Sequence, residues 1–276
     1  MTGALETQRS FVNSWECDEN LHMNIQFYWK RFGDAAQIFF HLAGADRQNW
    51  IDRHVRYHGE LMMATNTIVR SSMVAGKNML VHELINGDTD AVSATAIDLY
   101  DNPLGGSGPS VEVPNELALP KSLPSAPIQI FETDKVIETG LGVVSHRSVI
   151  TPQECDQDGR LLDQYHIARF SDAASHLWHH LGVTRAWMRD NNLGTVAVEM
   201  KASRHKHTRV GTMIEVVTWL EALGNKTFSF RHQISDMASG ETLYSGAVTA
   251  LLMDLTKRRA VPLPDVLREQ FNQRMS

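Results

Sequence analysis

Only two cysteines occur in 276 residues, too few for a disulfide framework to hold the chain together. Cys17 and Cys155 are each expected to serve as a small apolar side chain, not as half of a bridge, which suits a reducing compartment. Positive charge is also scarce. With a formal net charge of −6, the chain offers no electrostatic case for nucleic acid as a partner. Apolar runs long enough to cross a bilayer are missing, and the opening MTGALETQRSFVNSW lacks the apolar centre of an export signal. These absences exclude a membrane span and leave the cytoplasm as the expected location. What is present is ordinary for a globular protein: 42% hydrophobic and 21% charged residues, on a chain long enough to bury two cores.

One stretch occurs twice. SWECDENLHMNIQFYWKRFGDAAQIFFHLAG, from Ser14 to Gly44, returns in weakened form as PQECDQDGRLLDQYHIARFSDAASHLWHHLG, from Pro152 to Gly182. At a constant offset of 138 (Glu16 to Glu154), Glu16-Cys17-Asp18 falls on Glu154-Cys155-Asp156, and Arg31-Phe32 falls on Arg169-Phe170. Asp34-Ala35-Ala36 falls on Asp172-Ala173-Ala174 without a gap. Such density implies one fold unit present twice. The expected division is a first unit over 1–101, a Gly/Pro/Ser-rich linker over 102–133 and a second unit over 134–276.

After the repeated motif, apolar residues recur at helical spacing: Tyr28, Phe32, Ala35, Ala36 and Phe39 in the first copy, Ile167, Phe170, Ala173 and Leu177 in the second. Each unit should therefore carry one long, largely buried helix. The period then changes to that of strands. VAVEMKASR, MIEVVTWLEAL, TFSFRHQISD and ETLYSGAVTALLMDL read as an antiparallel meander punctuated by Gly, Asn and Ser. LMMATNTIVR, KNMLVHELI and AVSATAIDLYD give the same order in the first copy at an offset of 135. On this reading the helix-to-strand connection is three residues shorter in the second unit, and the first unit lacks the last strand, its place taken by the linker.

A helix followed by a meander, with an Asp just before the helix, resembles the hotdog fold, in which a sheet wraps a central helix. The ECD triplet is similar to the helix-start motif of the 4-hydroxybenzoyl-CoA thioesterase family, whose Asp falls on Asp18 and Asp156. Asp18, Asn20, His22 and Asn24 spell D-x-N-x-H-x-N, similar to the motif of plant and bacterial acyl-ACP thioesterases, which are also double hotdogs. The resemblance implies an α+β fold, a tandem double hotdog, and hydrolysis of an acyl thioester to free acid and thiol. It implies no metal or redox cofactor, coenzyme A being part of the substrate. The expected partner is an acyl-CoA or acyl-ACP, and a homodimer of such chains is left open.

The chemistry needs a base or nucleophile and donors for the developing oxyanion. Asp18 is the candidate base or nucleophile, His22 and Asn24 would assist, Asn20 would orient them or the water, and the N–H groups at the helix start would face the oxyanion. Capping and Asx turns explain any one of these residues equally well. The second copy serves as an internal control: it keeps Asp156 but has Asp158, Arg160 and Leu162 where the first has Asn20, His22 and Asn24. The first copy is thus expected to hold the chemistry, with Asp156 as a second candidate. Arg204, Lys206, Arg209 and Lys257 are basic positions in an acidic chain. They are candidates for the phosphates of coenzyme A, against solvated strand edges as the plain alternative. Glu199 is either a second carboxylate near a site or an outward strand position. His176, His179 and His180 share a helical face but are expected to be structural. Two other functions compete: a hydratase or dehydratase on the same fold, which typically presents D-x-N-x-x-H, and a non-catalytic acyl-CoA-binding protein.

Overall fold

A computed structural model describes residues 3–18 and 21–275. The chain divides into two compact units between Lys121 and Ser122. In the first, β1 (Leu5–Phe11) leads through a 3-10 turn (Ser14–Glu16) to α1 (Ile25–Leu42), followed by β2 (Asp52–Tyr57), β3 (Asn66–Val74), β4 (Met79–Asn86), β5 (Val92–Leu99) and the short β6 (Ser110–Val111). The main strands form an antiparallel sheet in the order β1-β3-β4-β5-β2, and β6 pairs in parallel with β3. Tyr28, Phe32, Ala35, Ala36 and Phe39 of α1 are buried, as their spacing predicts, and the helix packs on β1, β3 and β4.

The second unit runs α2 (Thr133–Glu138), β7 (Gly142–Val149), a 3-10 turn (Pro152–Glu154), α3 (Asp163–His180), α4 (Arg185–Asp190), β8 (Leu193–Arg204), β9 (Met213–Leu223), β10 (Thr227–Asp236), β11 (Thr242–Asp254), β12 (Arg259–Ala260) and α5 (Asp265–Met275). Its antiparallel order, β8-β11-β10-β9-β7, repeats that of the first unit. Both units are thus α+β, each a long helix on an antiparallel sheet. Among the described residues no helix is long and apolar enough to cross a membrane.

The strand correspondence expected from an offset of 135 is corrected by the register. Across the first sheet Val55 pairs with Ala96, Ala96 with His82 and His82 with Ser71. Across the second, Ala202 pairs with Gly246, Gly246 with His232 and His232 with Thr218. Equivalent strands therefore stand 147 apart (Val55 to Ala202) and then 150 apart (His82 to His232). The connection after the helix is nine residues longer in the second unit, since the offset rises from 138 to 147, and it contains α4. The first unit lacks no strand. The one overlooked is β2, whose sequence DRHVRY does not read as a core strand because four of its six residues are charged or imidazole-bearing. Arg53 is nonetheless fully buried, because it forks onto Asp98 of β5 with two bonds of 2.6 Å. Burial alone would raise the Asp98 carboxyl, but the guanidinium outweighs it and holds the group well below the usual range.

The register also exposes a repeat invisible to residue matching. In the first unit Thr7 Oγ1 lies 2.6 Å from Ser71 Oγ, which lies 2.7 Å from Nδ1 of His82. In the second, Ser145 Oγ lies 2.7 Å from Thr218 Oγ1, itself 2.7 Å from Nδ1 of His232. Serine and threonine have exchanged places while the buried hydroxyl–hydroxyl–imidazole chain is kept, as burial of polar groups demands. At Gly246 the Phe170 ring of α3 lies directly on the backbone of β11. A Cβ there would meet the Phe170 ring at 2.3 Å.

Residues 102–133, expected as a linker, are divided between the units and held down along most of their length. Arg56 donates to the carbonyls of Glu116 and Leu119 at 3.1 Å, Thr95 to that of Leu117 at 3.0 Å, and Asn115 to Glu83 at 3.0 Å. On the second unit, Glu199, Lys201 and Ser203 alternate along β8 and so share one sheet face. Glu199 accepts the N–H groups of Ser122 and Leu123, Lys201 donates to the carbonyls of Pro124, Ser125 and Ala126, and Ser203 accepts the N–H of Ile128. The segment is a strap on polar anchors. Glu199 thereby has a structural partner in the strap backbone.

Candidate functional site

The helix-start loop of the first unit is built by its own backbone. Asp18 N–H donates to the His22 carbonyl at 2.8 Å, Leu21 N–H to the Asp18 carbonyl at 3.1 Å, and His22 N–H to Oδ1 of Asp18 at 3.2 Å. A second segment clamps the loop from outside: Met23 N–H donates to the Leu61 carbonyl at 2.8 Å and Met63 N–H to the Leu21 carbonyl at 3.0 Å. That segment is fixed in turn by α1, because Leu61 N–H donates to the Tyr28 hydroxyl at 3.2 Å and Trp29 Nε1 to the Tyr57 hydroxyl at 2.9 Å. Burial pushes the Tyr28 hydroxyl up to about 12, so it stays a neutral partner.

This clamp brings Glu60 to His22. Oε1 of Glu60 lies 3.4 Å from Nδ1 of His22, with both side chains mostly shielded. Asp18, half-buried, sits on the same loop and keeps its carboxylate within the turn it closes. Asn24 has the plainer role weighed for it: it is the N-cap of α1, its side chain accepting the N–H of Gln26 at 3.1 Å. Phe27 N–H is taken by the Asn24 carbonyl. Ile25 N–H, the remaining donor of the first turn, has no hydrogen-bond partner among the described residues. Asn20 lies outside the described residues.

Beneath the loop, Glu16 and Arg31 form a buried pair with bonds of 3.3 and 2.9 Å. Burial pushes the Glu16 carboxyl up, but Arg31 and the Asn13 N–H outweigh it and hold the group below its usual range. Glu154 and Arg169 repeat the pair in the second unit at 2.6 Å.

The second helix-start loop has the same backbone and different chemistry. Asp156 Oδ1 accepts the N–H groups of Asp158 and Arg160, each at 2.9 Å. Arg160 pairs in a β-bridge with Arg209, as His22 does with Met62, so His207 stands where Glu60 does. Leu162 provides no side-chain cap, and Asp163, the next residue, is bound to Arg204 at 2.5 Å. Burial first, and then the charges of Arg204, Arg160 and Arg209, hold the His207 imidazole below its usual range. Arg209 Nη1 donates to the Asp158 carbonyl at 3.3 Å, and Arg160 Nη1 lies 3.6 Å from the Asp158 carboxylate.

The structure thus brings Asp18, His22 and Asn24 together on one loop, and sets Arg209 on Asp158 and Arg204 on Asp163, at the two ends of the loop that Asp156 closes. Lys206 and Lys257 are placed elsewhere: Lys206 pairs with Glu241 and Lys257 with Asp254 at 3.5 Å, on exposed turns. His180 Nε2 donates to the Gly140 carbonyl at 2.8 Å. Among the described residues no three His, Cys, Asp or Glu side chains converge as a metal site.

Solved structures share this architecture over nearly the whole chain. A Lactobacillus plantarum protein assigned as an oleoyl thioesterase superposes with a TM-score of 0.60 at 10% identity, covering 94% of this chain and 98% of that one. The 12:0-ACP thioesterase of Umbellularia californica gives 0.58 at 8% identity, over 88% and 92% of the two chains. The fold is that of the hotdog thioesterases. An acyl-ACP thioesterase of Bacteroides thetaiotaomicron, at 0.58 and 11% identity over 88% and 96%, agrees. In sequence, residues 150–271 match the thioesterase-like superfamily. No curated protein sequence matches the chain. The superfamily match falls on the second unit, whereas the D-x-N-x-H-x-N motif belongs to the first.

Glu60 is the site residue that sequence reasoning missed. It lies in YHGELMM, outside the repeated motif, and only the backbone bonds from Leu61 and Met63 to residues 21–23 bring it to His22. A hint was available, since a lone acid stands there in an apolar stretch, but nothing local named its partner.

Proposed function

We propose that this chain is a tandem double hotdog, its units close to the 1–101 and 134–276 first drawn, that hydrolyses an acyl thioester carried on coenzyme A or an acyl carrier protein. The observation that carries this reading is the convergence of Asp18, His22 and Glu60 at the start of α1, repeated in backbone but not in chemistry by the second unit. Asp18 takes a proton from water as the hydroxide adds to the thioester carbonyl carbon. Ile25 N–H, at the positive end of the helix, stabilises the oxyanion so formed. Collapse of the tetrahedral adduct breaks the carbon–sulfur bond, and the departing thiolate takes a proton from the site or from water. His22, held by Glu60, fixes the water or donates to the leaving sulfur. The second unit keeps Asp156 as the closing residue of its loop. Its clustered Arg204 and Arg209, with Arg160, suit the phosphates of a carrier, and the reading needs no metal or redox cofactor.

Thiol release from a panel of alkyl and aryl acyl-CoAs, measured for wild type, Asp18→Asn and Asp156→Asn, tests the reading. The expected result is activity in the wild type, lost in Asp18→Asn and kept in Asp156→Asn. No thiol release from any acyl-CoA or acyl-ACP, together with water addition to an enoyl-CoA, would replace hydrolysis by hydration.

A further inference from the structure

The two helix-start loops require the same unusual backbone and meet that demand differently. Gly159 adopts φ 70° and Gly211 φ 83° in the second unit, the left-handed region open to glycine at no steric cost. At the equivalent places the first unit has Leu21 at φ 62° and Ala64 at φ 70°. The equivalence is fixed by hydrogen bonds: Met63 N–H donates to the Leu21 carbonyl as Val210 N–H does to that of Gly159, both at 3.0 Å. Ala64 N–H donates to the Val12 carbonyl as Gly211 N–H does to that of Ile150. A leucine in this conformation is strained by about 1–2 kcal/mol. Burial does not compensate, because Leu21 is 52% exposed.

Two further apolar side chains stand beside it. Met62, which bridges His22, is 45% exposed and Met63 is 42% exposed. In the second unit these positions are Arg209 and Val210, and Gly159 has no side chain at all. The first loop therefore holds a strained leucine and two methionines in water directly against the candidate catalytic residues. The carboxylates that contact His22 among the described residues, Asp18 and Glu60, bring negative charge to this loop, which disfavours an acidic partner surface at this rim. Unbranched, flexible methionine and leucine side chains suit a flexible alkyl group.

Resting on the hydrolase reading above, we infer that Leu21, Met62 and Met63 form a rim that receives the alkyl part of the acyl group and sets chain-length preference. The strain at Leu21 is kept because glycine, which the backbone favours, has no surface to offer the chain.

The test compares butyryl-CoA with lauroyl-CoA as substrates for the wild type, Leu21→Gly, Leu21→Asn, Leu21→Met and Met62→Gln, with thermal unfolding of each. Asparagine tolerates the left-handed backbone and removes the apolar surface. In Leu21→Gly, Leu21→Asn and Met62→Gln, the ratio of kcat/KM for lauroyl-CoA to that for butyryl-CoA is expected to fall about tenfold. Leu21→Met should keep the wild-type ratio. Leu21→Gly should unfold no earlier than the wild type, because strain is relieved. An unchanged ratio, or an equal loss on both substrates, would overturn the rim while leaving hydrolysis intact. No thiol release by the wild type from either substrate would overturn the hydrolase reading and the rim with it.

Discussion

Residues 16–18 and 21–24 share a backbone with 154–156 and 159–162: the same turn closed by an Asp, the same buried Glu–Arg pair beneath, the same bridge to a following segment. They differ in what that backbone presents. The first loop offers Asp18, His22 and Glu60 beside apolar Leu21, Met62 and Met63, and the second offers Asp156 with Arg160, His207 and Arg209. The comparison separates two roles for one aspartate. Closing the turn needs only an oxygen acceptor, which both copies supply, whereas the proposed hydrolysis calls for a carboxylate beside an imidazole held by a second acid: the first shows that contact in His22–Glu60, while the imidazole of the second, His207, is under the charge of Arg204, Arg160 and Arg209.

The sharpest way to break that distinction is to remove charge while keeping the acceptor. Asp18→Asn retains an oxygen for the His22 N–H, yet is expected to lower kcat for thiol release by about 10²–10⁴-fold. Asp156→Asn should stay within a few fold, and equal losses in a steady-state assay would erase the assignment to one unit.

Next in size are the buried pairs. Arg31→Met leaves Glu16 buried without its partner and is expected to cost about 3–5 kcal/mol in urea unfolding. Arg169→Met should cost less, because the side chains of its pair are 10% and 13% exposed against 1% and 8% for Arg31 and Glu16. A larger loss from Arg169→Met would mean that the second unit sets the stability of the whole.

Glu60→Gln probes a positioning role. It is expected to reduce kcat by about tenfold with KM nearly unchanged, as misplacement of His22 would, while His207→Gln has little effect on kcat. An intact kcat in Glu60→Gln would make its contact with His22 structural.

The smallest expected effect is on acid stability. Glu16 and Glu154 are both held below 4.5. For Glu154, as for Glu16, burial acts upward and is outweighed, here by the N–H and hydroxyl of Thr151 and by Arg169. A carboxyl depressed in the folded state contributes stability that is complete above its unfolded value and is withdrawn as pH falls through the folded one. The urea midpoint should therefore fall as pH drops below 4.5, and Arg31→Met with Arg169→Met should flatten that fall.

Legibility followed locality. The two helices could be read because their apolar stripes repeat every three or four residues and carry Arg31 and Arg169 at matching places. Strand β2 could not, because Arg53 is acceptable inside only once Asp98, 45 residues away, stands opposite. The strap read as a linker from its glycines and prolines, since nothing in its own composition shows that Glu199 and Lys201 bind its backbone. The buried Thr7–Ser71–His82 chain stayed hidden for a related reason: its repeat preserves hydroxyls, not residue names.

By itself the amino-acid sequence determined that one motif and one helix occur twice, and that the D-x-N-x-H-x-N pattern occurs in the first copy only. These are properties of short stretches, where period and identity are enough. The tertiary structure alone decided which strands correspond, which polar side chains lie inside, and that Glu60 meets His22. Each of these depends on a hydrogen bond or ion pair between residues far apart in the chain, and a buried polar group is tolerated only where such a partner is in place.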